Sequence, residues 1–136
     1  MKTTEAQRHG ATDERDINEI TGAIIGAAIA GHRVLGPGLL ESIYESALCV
    51  EFDERKISYA RQQQVPAFYK GRRVGTYVVD LIVEDRVVVE IKSVAKVLTV
   101  LEAQLLTYMR LLKKKIGLLI NIHSAVLKDG IIRRAL

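Results

Sequence analysis

Asp80, Glu90 and Lys92 stand in the run VGTYVVDLIVEDRVVVEIKSV, where most of the other residues are Val, Leu or Ile. Burying an unpaired carboxylate in such a stretch is costly, so charges placed there need a partner. A hairpin turning through Glu84-Asp85-Arg86 sets Asp80 opposite Glu90, with their Cβ atoms ~5 Å apart. Glu90 and Lys92 are two positions apart on one strand and share a face. All three groups therefore converge on one patch. Two carboxylates this close repel each other, so either one holds a proton or a cation lies between them. Mg²⁺ and Mn²⁺ prefer oxygen donors and often take only one or two carboxylates, together with water and substrate phosphate. Such a metal would polarise a phosphoryl oxygen and lower the pKa of a bound water. Lys92 would orient that water or stabilise charge developing at phosphorus. The plain alternative is a buried ion-pair trio in which Lys92 neutralises one acid.

The elements that must position these charges can be read along the chain. Residues Met1–Thr12 are polar and mixed, as in a disordered or frayed tail, and residues 13–136 read as a single domain. Asp13 or Asp16 can cap a helix running to about Val34. Its apolar positions Ile17, Ile20, Ile24, Ala27 and Ala28 follow helical spacing. Gly36-Pro37-Gly38 breaks the chain, and a second helix is expected from about Leu39 to Lys56. Val65–Tyr69 and Val74–Val83 read as strands joined at KGRR. The second of these and Val87–Lys92 are apolar on both faces, as central strands are. Thr99 is a candidate cap for a helix to about Lys113, and Ile116–Ile122 reads as another buried strand. Asp129-Gly130 predicts a hairpin between Ala125–Lys128 and Ile131–Arg134. The order is α-α-β-β-β-α-β with a C-terminal hairpin, an α/β (α+β) arrangement.

Composition narrows the classes. A length of 136 residues is enough for one real core. The net charge of +4 permits a nucleic-acid partner without requiring one. Cys49 is the only cysteine, which excludes an intrachain disulfide and a cysteine zinc site and fits a reducing cytoplasm. ITGAIIGAAIAG is too short to span a bilayer, which needs ~20 apolar residues.

Further motifs in order carry a resemblance. Gly38-Leu39-Leu40-Glu41-Ser42-Ile43-Tyr44 matches GxxExxY. Asp80 follows in VVDLIVE, Glu90-Ile91-Lys92 in VVVEIKSV, Gln104 to Tyr108 in EAQLLTYMR, and Gly117 to Asn121 in GLLIN. From about Asp16 to Ala135 the chain resembles the PD-(D/E)XK nuclease superfamily, and within it the small GxxExxY branch. The resemblance implies a central mixed β-sheet flanked by helices and a nuclease hydrolysing phosphodiester bonds in DNA or RNA. It implies Asp80 and Glu90 as ligands of Mg²⁺ or Mn²⁺, assisted by Glu41 and the Ile91 backbone carbonyl, with Lys92 as the catalytic lysine. Gln104 and Tyr108, on one helical face, match a supporting QxxxY motif, and Tyr44 belongs to the supporting set. Where the family often has His, Arg and an aromatic, this chain has Leu101, Val78 and Ile122. The alternative is a weak or inactive nuclease-fold module that binds nucleic acid or a protein partner. A homodimer would suit cleavage of two strands.

Other side chains have blander readings. His32, beside the Gly-Pro-Gly break, either approaches the acids or packs structurally. Lys113-Lys114-Lys115 complement a helix C-terminus. Lys70, Arg72-Arg73 and Arg133-Arg134 would contact phosphates if they face the acidic patch.

Overall fold

The computed structural model of the chain describes residues 16–136. The expected tail Met1–Thr12, and Asp13 as an alternative cap, lie outside the described residues. Helix α1 spans Ile17–Leu35, and the Asp16 carboxylate accepts the Asn18 N–H at 2.9 Å to cap it. It ends at Gly36, whose φ of 78° lies in the region glycine enters without strain. Helix α2, Glu41–Glu54, starts two residues after the expected Leu39. The two helices are pinned together by Tyr44, fully buried, whose hydroxyl donates to the Ala28 carbonyl at 2.5 Å.

Among the described residues, five strands form one sheet in the order β1-β2-β3-β4-β5. They are β1 (Tyr59–Tyr69), β2 (Arg72–Val83), β3 (Val87–Lys92), β4 (Ile116–Asn121) and β5 (Ile131–Ala135). Helix α3, Thr99–Leu112, crosses from β3 to β4, the single parallel pair in the sheet. The architecture is the expected α/β one, a mixed sheet flanked by helices. β3, β4 and the Val79–Val83 part of β2 are buried on both faces, but Val74–Val78, expected to belong to a central strand, is exposed because β2 reaches past the end of β3 there. Leu81, Val83, Val87, Val89 and Ile91 pack with α1 and α2, while Val79, Ile82, Val88 and Leu119 pack with Leu105, Tyr108 and Met109 of α3. Each such side chain removed from water contributes roughly 1.5–3 kcal/mol. Alternation along β3 therefore turns Glu90 and Lys92, like Val88, toward the α3 side.

Three local expectations are corrected. β1 begins at Tyr59, well before Val65. Its first half, with Arg61-Gln62-Gln63-Gln64, lacks apolar alternation because it is a solvent-facing edge strand. Thr99 does not cap α3: Leu98 is the N-cap residue and makes no side-chain hydrogen bond. The C-terminal hairpin does not form. Leu127–Gly130 is a 3₁₀ turn, and β5 pairs antiparallel with β4 instead. That pairing sets Ile131 and Ile132 against Ile120 and Leu119, a better apolar match than Ala125–Lys128 offers.

Gly130 makes the turn feasible, because a Cβ there would lie 2.5 Å from both the Asn121 carbonyl and the Ser124 hydroxyl. Gly130→Ala is expected to lower stability by about 1–3 kcal/mol through this overlap. An unchanged urea midpoint would contradict the packing described.

Candidate active site

Strand register brings the acids together. Leu81, Ile82 and Val83 pair with Val89, Val88 and Val87, which continues to Asp80 beside Glu90. At that step side chains replace the backbone ladder. The Asp80 N–H donates to Glu90 Oε2 at 2.8 Å, and the Ile91 N–H donates to Asp80 Oδ2 at 2.8 Å. Each acid is held by the backbone of the opposite strand. The Lys92 Nζ stands 3.8 Å from Glu90 Oε1, a loose ion pair.

The ladder is interrupted on the other side of Asp80 as well. Arg61 pairs with Leu81 and Gln63 with Val79, and between them Gln62 has a φ of 54°. A non-glycine residue there stores on the order of 1–3 kcal/mol and needs surrounding contacts to hold it. Glu45 supplies them. Its carboxylate accepts from the Gln62 side-chain amide at 3.0 Å to each oxygen, and from Arg61 Nε at 2.6 Å. The backbone turn at Asp80 is visible in the packing, since Val79 and Ile82 face α3 while Leu81 faces the other layer.

Sequence reasoning missed Glu45. The available signal was its position one turn after Glu41, which places both acids on one helical face. Arg61→Ala would leave the buried Glu45 carboxylate without its charged partner and is expected to cost about 1–3 kcal/mol. Urea unfolding of the variant checks this, and a cost near zero would remove Glu45 from the support of the site.

The electrostatics oppose ionisation of both acids together. Burial, reinforced by the Asp80 charge, pushes the Glu90 carboxyl up to about 8. Burial also raises Asp80, partly offset by the Ile91 N–H. Lys92 pulls both acids down but is outweighed. The ion-pair trio is thus an incomplete account, because the lysine does not neutralise the pair. Tyr108 is pushed up to about 12, first by burial and then by the charges of Glu90 and Asp80, so its hydroxyl stays protonated. Its ring meets Tyr77 edge-on with centroids 5.5 Å apart. A buried Glu90 and a half-buried Asp80 facing each other through oxygen donors fit a hard divalent ion, which would relieve their repulsion.

The remaining predicted residues are distributed unevenly. Glu41 is exposed, and its Oε2 accepts the Ser93 N–H at 2.8 Å, tying the start of α2 to the chain just past Lys92. It lies within electrostatic reach of Asp80 and helps raise it. Among the described residues, no group of three or more His, Cys, Asp or Glu is arranged to hold a metal. Gln104 is half-buried one helical turn from Tyr108, toward the Lys92 end of β3. Tyr44 does not line the site; by fixing α2 on α1 it places Glu41 and Glu45. His32 is buried and its Nε2 lies 3.2 Å from the Ile122 carbonyl, the structural role.

Asn121 fastens the segment after Lys92. Its Oδ1 accepts the Val94 and His123 N–H groups, and its Nδ2 donates to the Val94 carbonyl at 2.9 Å. Lys113–Lys115 lie at the far end of the β3–β4 pair, where Lys114 pairs with Asp85 at 3.0 Å.

No helix is long and apolar enough to cross a membrane among the described residues. No curated protein and no solved structure matches the chain. A model of the PD-(D/E)XK nuclease superfamily matches residues 18–134. That span takes in the acidic hairpin, both supporting helices and nearly all of the sheet, and by it the chain belongs to the PD-(D/E)XK nuclease superfamily.

Proposed function

We propose that the protein is a Mg²⁺- or Mn²⁺-dependent nuclease of the GxxExxY branch that hydrolyses phosphodiester bonds in nucleic acid. The observation that carries this reading is the reciprocal lock between Asp80 and Glu90, with Lys92 beside it. Gly38, Glu41 and Tyr44, with Gln104 and Tyr108, support the branch assignment.

Asp80 and Glu90 would hold the cation, with Glu41 and the Ile91 carbonyl as further oxygen donors. When bound, the ion supplies Lewis-acid polarisation of the phosphoryl group and a water of lowered pKa. The protein's own groups do the rest. Backbone N–H groups fix one oxygen of each acid, so the carboxylates are preorganised rather than mobile. Lys92 presents a cation at the rim, where negative charge accumulates on phosphate oxygens as water attacks phosphorus and the leaving oxygen departs. The protonated Tyr108 hydroxyl is a donor on the same side, and Gln104 extends that polar face. Glu45 positions the strand carrying Asp80 through Gln62 and Arg61.

A cleavage panel tests the proposal. Single- and double-stranded DNA and RNA, each with Mg²⁺ or Mn²⁺, should include at least one substrate that is cut and is spared in excess EDTA. Binding without cleavage across the whole panel would favour the non-catalytic module.

A further inference from the structure

β2 pairs with β3 only through Leu81–Val83, whereas β1 and β2 remain paired out to Tyr69 and Arg72. The distal part of this hairpin is a two-stranded ribbon extending beyond the sheet, roughly 25 Å from Asp80 to its tip at the rise of a β-strand. It carries an unusual set of side chains. Residues 59–79 contain no Asp or Glu. Lys70, Arg72 and Arg73 cluster at the tip, and all three are exposed. Phe68 and Tyr69 are 62% and 65% exposed beside them, paired across the ribbon with Arg73 and Arg72. At its root, Tyr77 touches Tyr108 of the candidate active site.

Exposed aromatics in this number on so short a ribbon are not explained by folding, since none of the other described residues buries the tip. Lysines and arginines without local acids form an electrostatic footprint for a polyanion. The positive φ values of Lys70 and Gly71 make a tight two-residue turn, so the ribbon is narrow at its tip, with a register shift between Ala67 and Phe68. The ~12 Å major groove of B-form DNA admits a two-stranded ribbon, while the deep, narrow major groove of A-form RNA does not.

We infer that the β1–β2 ribbon is a clamp for double-stranded DNA. Lys70, Arg72 and Arg73 contact phosphates, Phe68 and Tyr69 contact the groove, and the duplex is led past Tyr77 to Asp80 and Glu90. This rests on the proposed nuclease function for its biological sense, but the binding is separable from catalysis.

The test measures anisotropy of a fluorescein-labelled 20-base-pair DNA duplex in EDTA, where no metal-dependent cleavage occurs. Lys70→Ala/Arg72→Ala/Arg73→Ala is expected to weaken binding roughly tenfold or more and to reduce the salt slope by about 2–3. Phe68→Ala/Tyr69→Ala should weaken it with the salt slope kept. Mn²⁺-dependent turnover of bis(p-nitrophenyl) phosphate should be unchanged in both variants, since this small diester does not reach the ribbon. Its loss would show the ribbon to be part of the catalytic core and overturn the assignment. Duplex binding unaffected by both variants would also overturn it. So would equal or tighter binding of single-stranded DNA or duplex RNA, or a change of oligomeric state by sedimentation in place of a change in DNA affinity. Failure of the nuclease reading appears separately, as wild-type protein that binds the duplex in EDTA but cleaves nothing with metal.

Discussion

Lys92→Ala is expected to reduce phosphodiester cleavage by roughly 10²–10⁴-fold, the range typical of removing one preorganised charge or proton-transfer group from a reacting centre. The lysine is half-buried at the end of β3, and its Nζ makes only a loose contact with Glu90. Removing it strips no packed apolar group from the core, so the variant should fold. It also removes a cation competing for Glu90, so Mn²⁺ affinity should hold or rise. The contrast is the informative part. A single-turnover assay at saturating Mn²⁺ should show slow chemistry with binding retained. Full cleavage by the variant would remove Lys92 from the mechanism.

Glu90→Gln is expected to make the metal-free protein more stable at alkaline pH. The Glu90 carboxyl has an ordinary value of 4.5 and is pushed up to about 8 in the folded state by burial and by Asp80. A carboxyl raised on folding stabilises the folded state while protonated. That contribution is complete below 4.5, and it is lost as pH rises through about 8. Glutamine keeps an oxygen for the Asp80 N–H and never ionises. The variant should therefore match the wild type at pH 5 and exceed it by roughly 2–4 kcal/mol at pH 9. Adding Mn²⁺ at pH 9 should stabilise the wild type and leave the variant unmoved. Urea unfolding at the two pH values checks both statements. A stability difference independent of pH would mean that Glu90 is not the strained acid described.

The acidic centre was legible because three properties coincide there. Asp80, Glu90 and Lys92 are charges in an otherwise apolar run, the turn at Glu84–Arg86 fixes their register, and strand alternation fixes their face. Gln104 and Tyr108 stood out through the QxxxY motif of the family the chain resembles, while helical spacing showed only that they share a face. Residues held by tertiary contacts were not legible. Glu45 looks like one more acid on a polar helix until β1 brings Arg61 and Gln62 to it, and β1 itself was half hidden because an edge strand has no apolar alternation to display. The positive φ of Gln62 has no local signature, since glutamine does not ordinarily adopt it. The C-terminal segment misled for a related reason. Asp129-Gly130 is a hairpin signal in isolation, but the open edge of β4 offered Ile131 and Ile132 a better partner. Glu41 marks the boundary between the two cases. Its motif was visible, yet its contact with the Ser93 amide depends on how α2 packs against the end of β3.

Calorimetric titration of Mn²⁺ at pH 8.5 tests most directly whether Asp80 and Glu90 form a metal centre. Wild-type protein should bind the ion, and Asp80→Asn/Glu90→Gln, which preserves the backbone hydrogen bonds, should abolish binding. No binding by the wild type, or unchanged binding by the double variant, would contradict the account.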